Sequence, residues 1–372
     1  MKKVLFATTA LIATASVAAA DVRMSGYGRF GLDYNSANES NVADANYNGV
    51  SSTNITSRLR LQFDMSTETD GGVGFNARFR AQAESRDGVA GTAVFNGARF
   101  GVTYGGLTVN VGNIIGAIEN TPGLYATGTR SAGTGIDGMG FHSLAIKTFT
   151  GSAVSTFNWD AYSSAGAGAN GIEALYSMGG FTGHLSYSAD NDTLATAAVT
   201  DSAGDIITAA TTGSLGEDRV AAMLTYSFSD YYVSASYQGS DNGPVVIASN
   251  GQRFEDNDGL YMVAAGGDFG AFGARLAYGS TDSVDSVTLE GNMDIGAASN
   301  LLVWVNSADV ADALINDTNA AVAAGARNGD GTSFGVNYQY DLGGGATFVA
   351  GYVNSAADEN DDQFQAGVYF SF

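Results

Sequence analysis

The feature that most restricts what this chain can fold into is a two-residue hydropathy period that returns along nearly its whole length. In Ile55–Met65, the residues Ile55, Leu59, Leu61, Phe63 and Met65 share one parity, while Thr56, Arg58, Arg60, Gln62 and Asp64 share the other. Alternate residues of a strand point to opposite faces, so this run is a strand with one apolar and one strongly polar face. After Thr69-Asp70-Gly71-Gly72 the pattern restarts, with Val73, Phe75, Ala77, Phe79, Ala81 and Ala83 alternating with Asn76, Arg78, Arg80, Gln82 and Glu84. Two such runs joined by a Gly-containing turn form a hairpin.

The same unit recurs. Val22–Tyr34 stands alone at the start and Phe364–Phe372 alone at the end. Between them lie the paired runs Phe100–Tyr104 with Leu107–Val111, Ile172–Met178 with Phe181–Tyr187, and Val220–Phe228 with Tyr231–Tyr237. Leu260–Ala264 with Phe272–Tyr278, Val287–Gly291 with Leu301–Val305, and Phe334–Tyr340 with Phe348–Tyr352 complete the series. An opening strand, seven hairpins and a closing strand make sixteen. Short turns alternate with long connections near Asn35–Asn54, Ile114–Gly171, Ser188–Asp218 and Ser307–Gly331. No helical stretch of useful length competes, and Pro122 and Pro244 both fall in long connections, where a missing donor harms no ladder. His142–Ser163 is strand-like in part, which leaves an eighteen-stranded alternative open.

Arginines at the middle of strands point to a membrane barrel rather than a soluble sandwich. Arg58, Arg60, Arg78 and Arg80 occupy the polar parity at mid-strand, where a water-filled lumen solvates them. Tyr34, Tyr104, Tyr187, Tyr226, Tyr237, Tyr278, Tyr340 and Tyr352 end strands, as the aromatic girdles of a transmembrane barrel do. Hydrocarbon cannot solvate an open sheet edge, so the sheet must close. Composition fits the same reading. Charged residues make up only 15% of the chain, against about 25% in soluble domains. Those present are mostly acidic, at 38 Asp+Glu against 16 Lys+Arg. Such a chain repels phosphate backbones, so nucleic acid is not an expected partner. The absence of Cys removes disulfides, thiolate metal sites and thiol nucleophiles.

Residues 1–20 read as a cleaved secretory signal, separate from the barrel of 21–372. Lys2 and Lys3 precede an apolar stretch, and Ala18-Ala19-Ala20 supplies the small residues before Asp21. Export across the inner membrane by the Sec pathway follows from that reading. Without the leader, 14 basic residues face 38 acidic ones, a net charge of −24.

The last residues, Gly367-Val368-Tyr369-Phe370-Ser371-Phe372, end on Phe with apolar residues at every second position back to Phe364. This resembles the C-terminal assembly signal of Gram-negative outer-membrane proteins, carried by Phe364, Phe370 and Phe372. Together with Tyr340-Asp341-Leu342-Gly343-Gly344-Gly345 and the start Val22-Arg23-Met24-Ser25-Gly26-Tyr27-Gly28-Arg29-Phe30-Gly31, it is similar to the general diffusion porins, most of all those of purple alpha-proteobacteria. The resemblance implies an outer-membrane homotrimer of 16-stranded antiparallel barrels, in contact with lipid and lipopolysaccharide. Each barrel would be a passive pore for small hydrophilic solutes, narrowed by an inward-folded third loop.

By count that loop is Ile114–Gly171, whose acids are Glu119, Asp137 and Asp160. The first four strands carry Arg23, Arg29, Arg58, Arg60, Arg78, Arg80 and Arg99 at inward parity, seven of the 13 arginines. The family sets a basic wall across from acidic loop residues, and clustered like charge in a narrow tube filters ions by sign and size.

Three catalytic or binding spellings fail on context. Gly166-x-Gly168-x-x-Gly171 lacks the flanking strand and helix of a dinucleotide site. Gly331-Thr332-Ser333-Phe334-Gly335 spells a nucleophile elbow, but His142 and His184 both precede it. In Glu255–Gly259, Phe254 occupies the first-ligand position of an EF-hand loop. No catalytic set, cofactor or dedicated metal site is expected. Weak Ca²⁺ binding by the acidic loops, among them Asp358–Asp362, is the one ligand their oxygens suit.

Overall fold

The structure is a computed structural model that describes residues 20–44, 48–86, 89–91, 93–125, 159–197, 199–200, 206–208, 212–355 and 362–372. Sixteen antiparallel strands build the wall: β1 (Asp21–Asn35), β2 (Thr53–Glu68), β3 (Gly74–Arg86), β4 (Arg99–Tyr104), β5 (Leu107–Asn113) and β6 (Asn170–Met178). β7 (Phe181–Ala189), β8 (Asp218–Phe228), β9 (Tyr231–Asp241), β10 (Leu260–Asp268) and β11 (Phe272–Ser280) follow. β12 (Val284–Ile295), β13 (Ser299–Val310), β14 (Gly331–Gly343), β15 (Ala346–Asn354) and β16 (Asp362–Ser371) complete it. Each strand pairs with its sequence neighbours, and β1 pairs with both β2 and β16, from Tyr27↔Ser371 to Asn35↔Gln363. The sheet therefore has no open edge, as a bilayer requires. Two short segments, Val89–Ala90 and Val94–Phe95, add pairing along β3. Sixteen is thus the number of strands in the closed wall, counted among the described residues. Of the segment that left eighteen open, 142–158 lie outside the described residues and Trp159–Ser163 form no strand.

The seven hairpin turns that follow β2, β4, β6, β8, β10, β12 and β14 lie at one end of the barrel, and at the other end the connection 281–283 between β11 and β12 is as short. Gly105-Gly106 and Gly179-Gly180 close β4–β5 and β6–β7 with φ of 57° and 86°, and 59° and 87°. Positive φ at both central residues gives a turn whose twist matches the strands it joins, and only glycine adopts it freely. Around this rim, Phe181, Tyr226, Phe228, Tyr231, Phe269 and Phe272 form a continuous chain of rings with centroids 4.4–5.7 Å apart. That chain is an interfacial girdle spanning β7 to β11.

The parity of the sequence sets the radial direction. On β12, Val287 and Leu289 are exposed on the outer face, while Ser286, Thr288 and Glu290 are buried on the inner one. Closure of the barrel uses small residues against large ones. Gly28 lies under the Phe370 ring, where an added Cβ would stand 2.3 Å from the ring, and Gly26 lies beside Phe372. Phe364, Phe370 and Phe372 all face outward along the closing strand.

Two expectations need correction. Leu260, Met262 and Ala264, the apolar parity of the run Leu260–Ala264, do not face lipid as the apolar parity of Ile55–Met65 does. Tyr261 and Val263 do, while Leu260 and Met262 are fully buried inside the barrel. The sequence Leu260–Ala265 is apolar at both parities, which marks a strand covered on both sides. A helix also forms where none was expected. α1 (Asp312–Ile315) and α2 (Ala320–Gly329) fill the connection from β13 to β14. Asn319 caps α2 by accepting from Ala321 N at 3.1 Å, and its alanines favour the helix. Val322 and Ala326 of α2 pack with Leu314, Ala248, Phe254 and Val310 in one apolar cluster on the inner side of the barrel's loop end.

Candidate functional site: the lumen and its third connection

The third connection at the loop end, 114–169, turns into the barrel. Its described parts are an outgoing limb, 114–125, and a returning limb, 159–169. The outgoing limb leaves β5 and is fixed at once to β6. Glu173 Oε2 accepts from the backbone N–H groups of Ile115 and Gly116, each at 3.0 Å. Ala117 N donates to Ser186 Oγ on β7 at 3.0 Å. Further on, Ser234 of β9 donates to the carbonyl of Pro122 at 2.6 Å. Ile118 and Leu124 are buried with Leu260 and Met262 of β10. Each such fully buried aliphatic side chain contributes about 1.5–3 kcal/mol of hydrophobic stabilisation. The apolar inner face of β10 is therefore the seat of this limb.

The returning limb starts beside the outgoing one on β7 and β8 and runs on to the arginines of β2–β4. Asp160 accepts from Ser188 Oγ of β7 at 2.9 Å and lies 3.6 Å from Arg219 of β8. Two residues later, the Tyr162 ring lies under the guanidinium groups of Arg80 and Arg99, at 4.5 and 5.3 Å from its centroid. Tyr162 donates its hydroxyl proton to the carbonyl of Arg78. Asn96 and Asn113 donate to the Ser163 carbonyl at 2.6 and 3.4 Å. Gly97 N donates to Gly166 O at 2.8 Å, which ties the limb to β4's approach.

The two limbs meet at Glu119, whose Oε2 accepts from Tyr125 OH at 2.5 Å and from Trp159 Nε1 at 2.8 Å. Burial raises the Glu119 carboxyl above its ordinary value, and the two hydrogen bonds only partly offset this. A raised folded-state value means that the protonated form fits the site better. Its contribution is present below the ordinary value of 4.5 and is lost as pH rises through the shifted one. Glu119→Gln is therefore expected to keep the limbs joined and to flatten the pH dependence of loop protection as pH rises above the ordinary carboxyl value of 4.5, read by amide hydrogen exchange. A pH profile identical to wild type would contradict this.

The expected basic wall forms on β1–β4, with an internal division. Arg58 is paired with Glu84 at 2.5 Å, and Arg78 with Asp64 at 2.5 Å. Arg99 lies 3.6 Å from Glu173. Arg29 is buried opposite Arg58 and Tyr369. Arg60 and Arg80 differ from these. Both donate to Ser164 Oγ, at 3.0 and 3.3 Å, Arg80 also bonds Gln62, and Arg60 lies over the Tyr27 ring. Among the described residues, neither meets a carboxylate. Arg23 is exposed near the turn end of β1, opposite Asp64 in register, and apart from this cluster.

The acids do not all stand where the sequence suggested. Glu119 braces the two limbs, and Asp160 faces Arg219 of β8 rather than the wall of β1–β4. Asp137 lies outside the described residues. Sequence reasoning also missed the residues that seat the loop: Glu173, His184, Ser186, Ser234, Leu260 and Met262. All hold inward positions, and only the doubly apolar run in β10 carried a signal.

Comparison with known proteins decides the family. The profile of the Gram-negative porin family matches residues 7–372. The chain is a member of the Gram-negative porin family. A porin of Fuscovulum blasticum is 30% identical over 358 residues, covering 95% of this chain and all of that one. A porin of Rhodobacter capsulatus is 25% identical over 362 residues, with 95% and 100% covered. A solved structure of a triple mutant of Rhodopseudomonas blastica porin aligns with a TM-score of 0.63 at 28% identity, again covering 95% and 100%. The porin is an outer-membrane channel for passive diffusion of small hydrophilic solutes and ions, and members of its family are channels rather than enzymes.

Proposed function

We propose that this porin sieves solutes at a mid-barrel constriction, with the third connection on one side and the arginines of β1–β4 on the other. The observation that carries the reading is the pair Arg60 and Arg80, which converge on Ser164 of the returning limb. Fixed cations beside a loop that occupies the lumen act on passing ions through an electric field and on neutral solutes through width alone. Arg29, Arg58, Arg78 and Arg99 extend the basic surface, and the carboxylates beside Arg58, Arg78 and Arg99 reduce its field. Asp160 and Glu119 brace the loop instead of opposing the wall.

The channel works as a homotrimer in contact with lipid and lipopolysaccharide, after Sec export and loss of residues 1–20. The outward apolar surface around Phe30, Phe370 and Leu59 supports a protein or lipid contact there. Phe364, Phe370 and Phe372 act as the assembly signal, supported by the place of Phe364 and Phe370 on the strand that closes the sheet and by the backbone bonds of Phe372 to Gly26 just beyond it. Weak calcium binding by the acidic loops belongs to the same reading. Among the described residues, no three acidic or histidine side chains are grouped to hold an ion. Calcium that leaves trimer retention and thermal stability unchanged would remove that part of the proposal.

The test is liposome swelling with sugars of increasing size. Influx rates should fall steeply with size and should not distinguish isomers. Saturable uptake that prefers one isomer would contradict non-specific sieving.

A further inference from the structure

The outgoing limb hangs on one carboxylate. Glu173 is 1% exposed on the inner face of β6, and its two oxygens are divided between loop and wall. Oε2 accepts both N–H groups of the limb's first turn, from Ile115 and Gly116, and lies 3.2 Å from His184 Nε2 on β7. Oε1 accepts from Asn110 Nδ2 of β5 at 2.8 Å and lies 3.6 Å from Arg99 NH1 of β4. His184, also 1% exposed, reaches the limb through its other ring nitrogen, 3.4 Å from Asn120 Nδ2. Three neighbouring strands thus orient one anion toward two backbone donors of the loop. Backbone donors buried without an acceptor are costly, and a carboxylate is the strongest acceptor available to them.

We infer that Glu173 is the latch that seats the third connection in the lumen, with His184, Asn110 and Arg99 as the residues that aim it. The second attachment, Ala117 N to Ser186 Oγ, sits one residue beyond the latch, and the apolar seat at Ile118 and Leu124 follows. The order along the chain gives Glu173 leverage. It fixes the direction in which the limb leaves β5, and each later contact depends on that direction. Glutamine cannot replace it. With its carbonyl oxygen turned to Ile115 and Gly116, the amide nitrogen would face the donors of Asn110 and Arg99. The inference rests on the reading that this loop narrows the pore, and the experiment separates the two.

The chain has no cysteine, so a tether can be introduced cleanly. Ala117→Cys with Ser186→Cys joins limb and wall at an existing contact, and it is made with Glu173 retained and with Glu173→Gln. Both proteins are assembled oxidised, which holds the loop in place during folding, and are reduced after insertion into a planar bilayer. Two quantities are read: the rate at which a maleimide labels the freed thiols, and the single-channel conductance. On reduction, the protein carrying Glu173→Gln should label at least about tenfold faster than the control, because the buried limb leaves its seat. Its conductance should rise by about half or more and should flicker. Equal labelling rates in the two proteins would overturn the latch. Fast labelling with unchanged conductance would uphold the latch and overturn the constriction.

Discussion

Replacing Arg60 and Arg80 together by Ser is expected to move the zero-current potential of the porin toward the cation side. In a tenfold salt gradient the shift should be roughly 10–20 mV, out of the ~59 mV that a perfectly selective pore would develop. Compensation sets this pair apart. Arg58 and Arg78 each hold a carboxylate of the neighbouring strand, so their fields largely cancel within a few ångströms. Arg60 and Arg80 meet only hydroxyl, amide, carbonyl and aromatic groups among the described residues. Their field therefore extends into the lumen. At about 0.1 M salt the screening length is ~10 Å, comparable with a narrow pore, whereas at 1 M it falls to ~3 Å. The shift should accordingly be large at low salt and nearly vanish at high salt. Replacing Arg58 and Arg78 by Ser moves the field in the same direction, because Glu84 and Asp64 are left behind. An unchanged potential in the Arg60/Arg80 double variant at low salt would show that these arginines do not face the conducting path.

The second large effect concerns assembly. Leu289 lies midway along β12 on the outer face, with Leu276 and Val305 as its outward neighbours on β11 and β13. Leu289→Arg places a cation against hydrocarbon and should destabilise the folded barrel by about 2–4 kcal/mol. Asn292, on the same strand, has the inward parity, where water reaches the new charge. Asn292→Arg should leave folding within about 0.5 kcal/mol of wild type. Urea unfolding in lipid vesicles measures both. Equal losses for the two would mean that the assignment of faces on β12 is wrong.

Much of this architecture was legible because a membrane barrel writes its two solvents into alternate residues. Ile55–Met65 and Val73–Ala83 reveal strand, facing and register together, since Arg58↔Glu84 and Asp64↔Arg78 bring complementary charges opposite each other. The strand count was legible for the same reason. The interior was less so, because its partners are set by tertiary closure. Leu260–Ala265 is apolar at both parities, so the run by itself does not tell the lipid face from the inner one, and the outgoing limb covers the inner one. Glu173 and His184 look like ordinary lumen residues, and nothing local says that a loop will rest on them. Asp160 belongs to the loop, as its position implies, but its opponent Arg219 lies 59 positions away in a chain folded around a barrel. The short helix α2 interrupts the two-residue period for only ten residues, though Asn319 before a run of alanines is a recognisable start.

Planar-bilayer recording of the purified protein tests the central claim, an open barrel narrowed against a basic wall, most directly. Stepwise, ohmic insertions that arrive in triplets are expected. In a low-salt gradient, wild type and the Arg60/Arg80 variant should give clearly different zero-current potentials. A membrane that stays silent while folded trimer is present would contradict the claim.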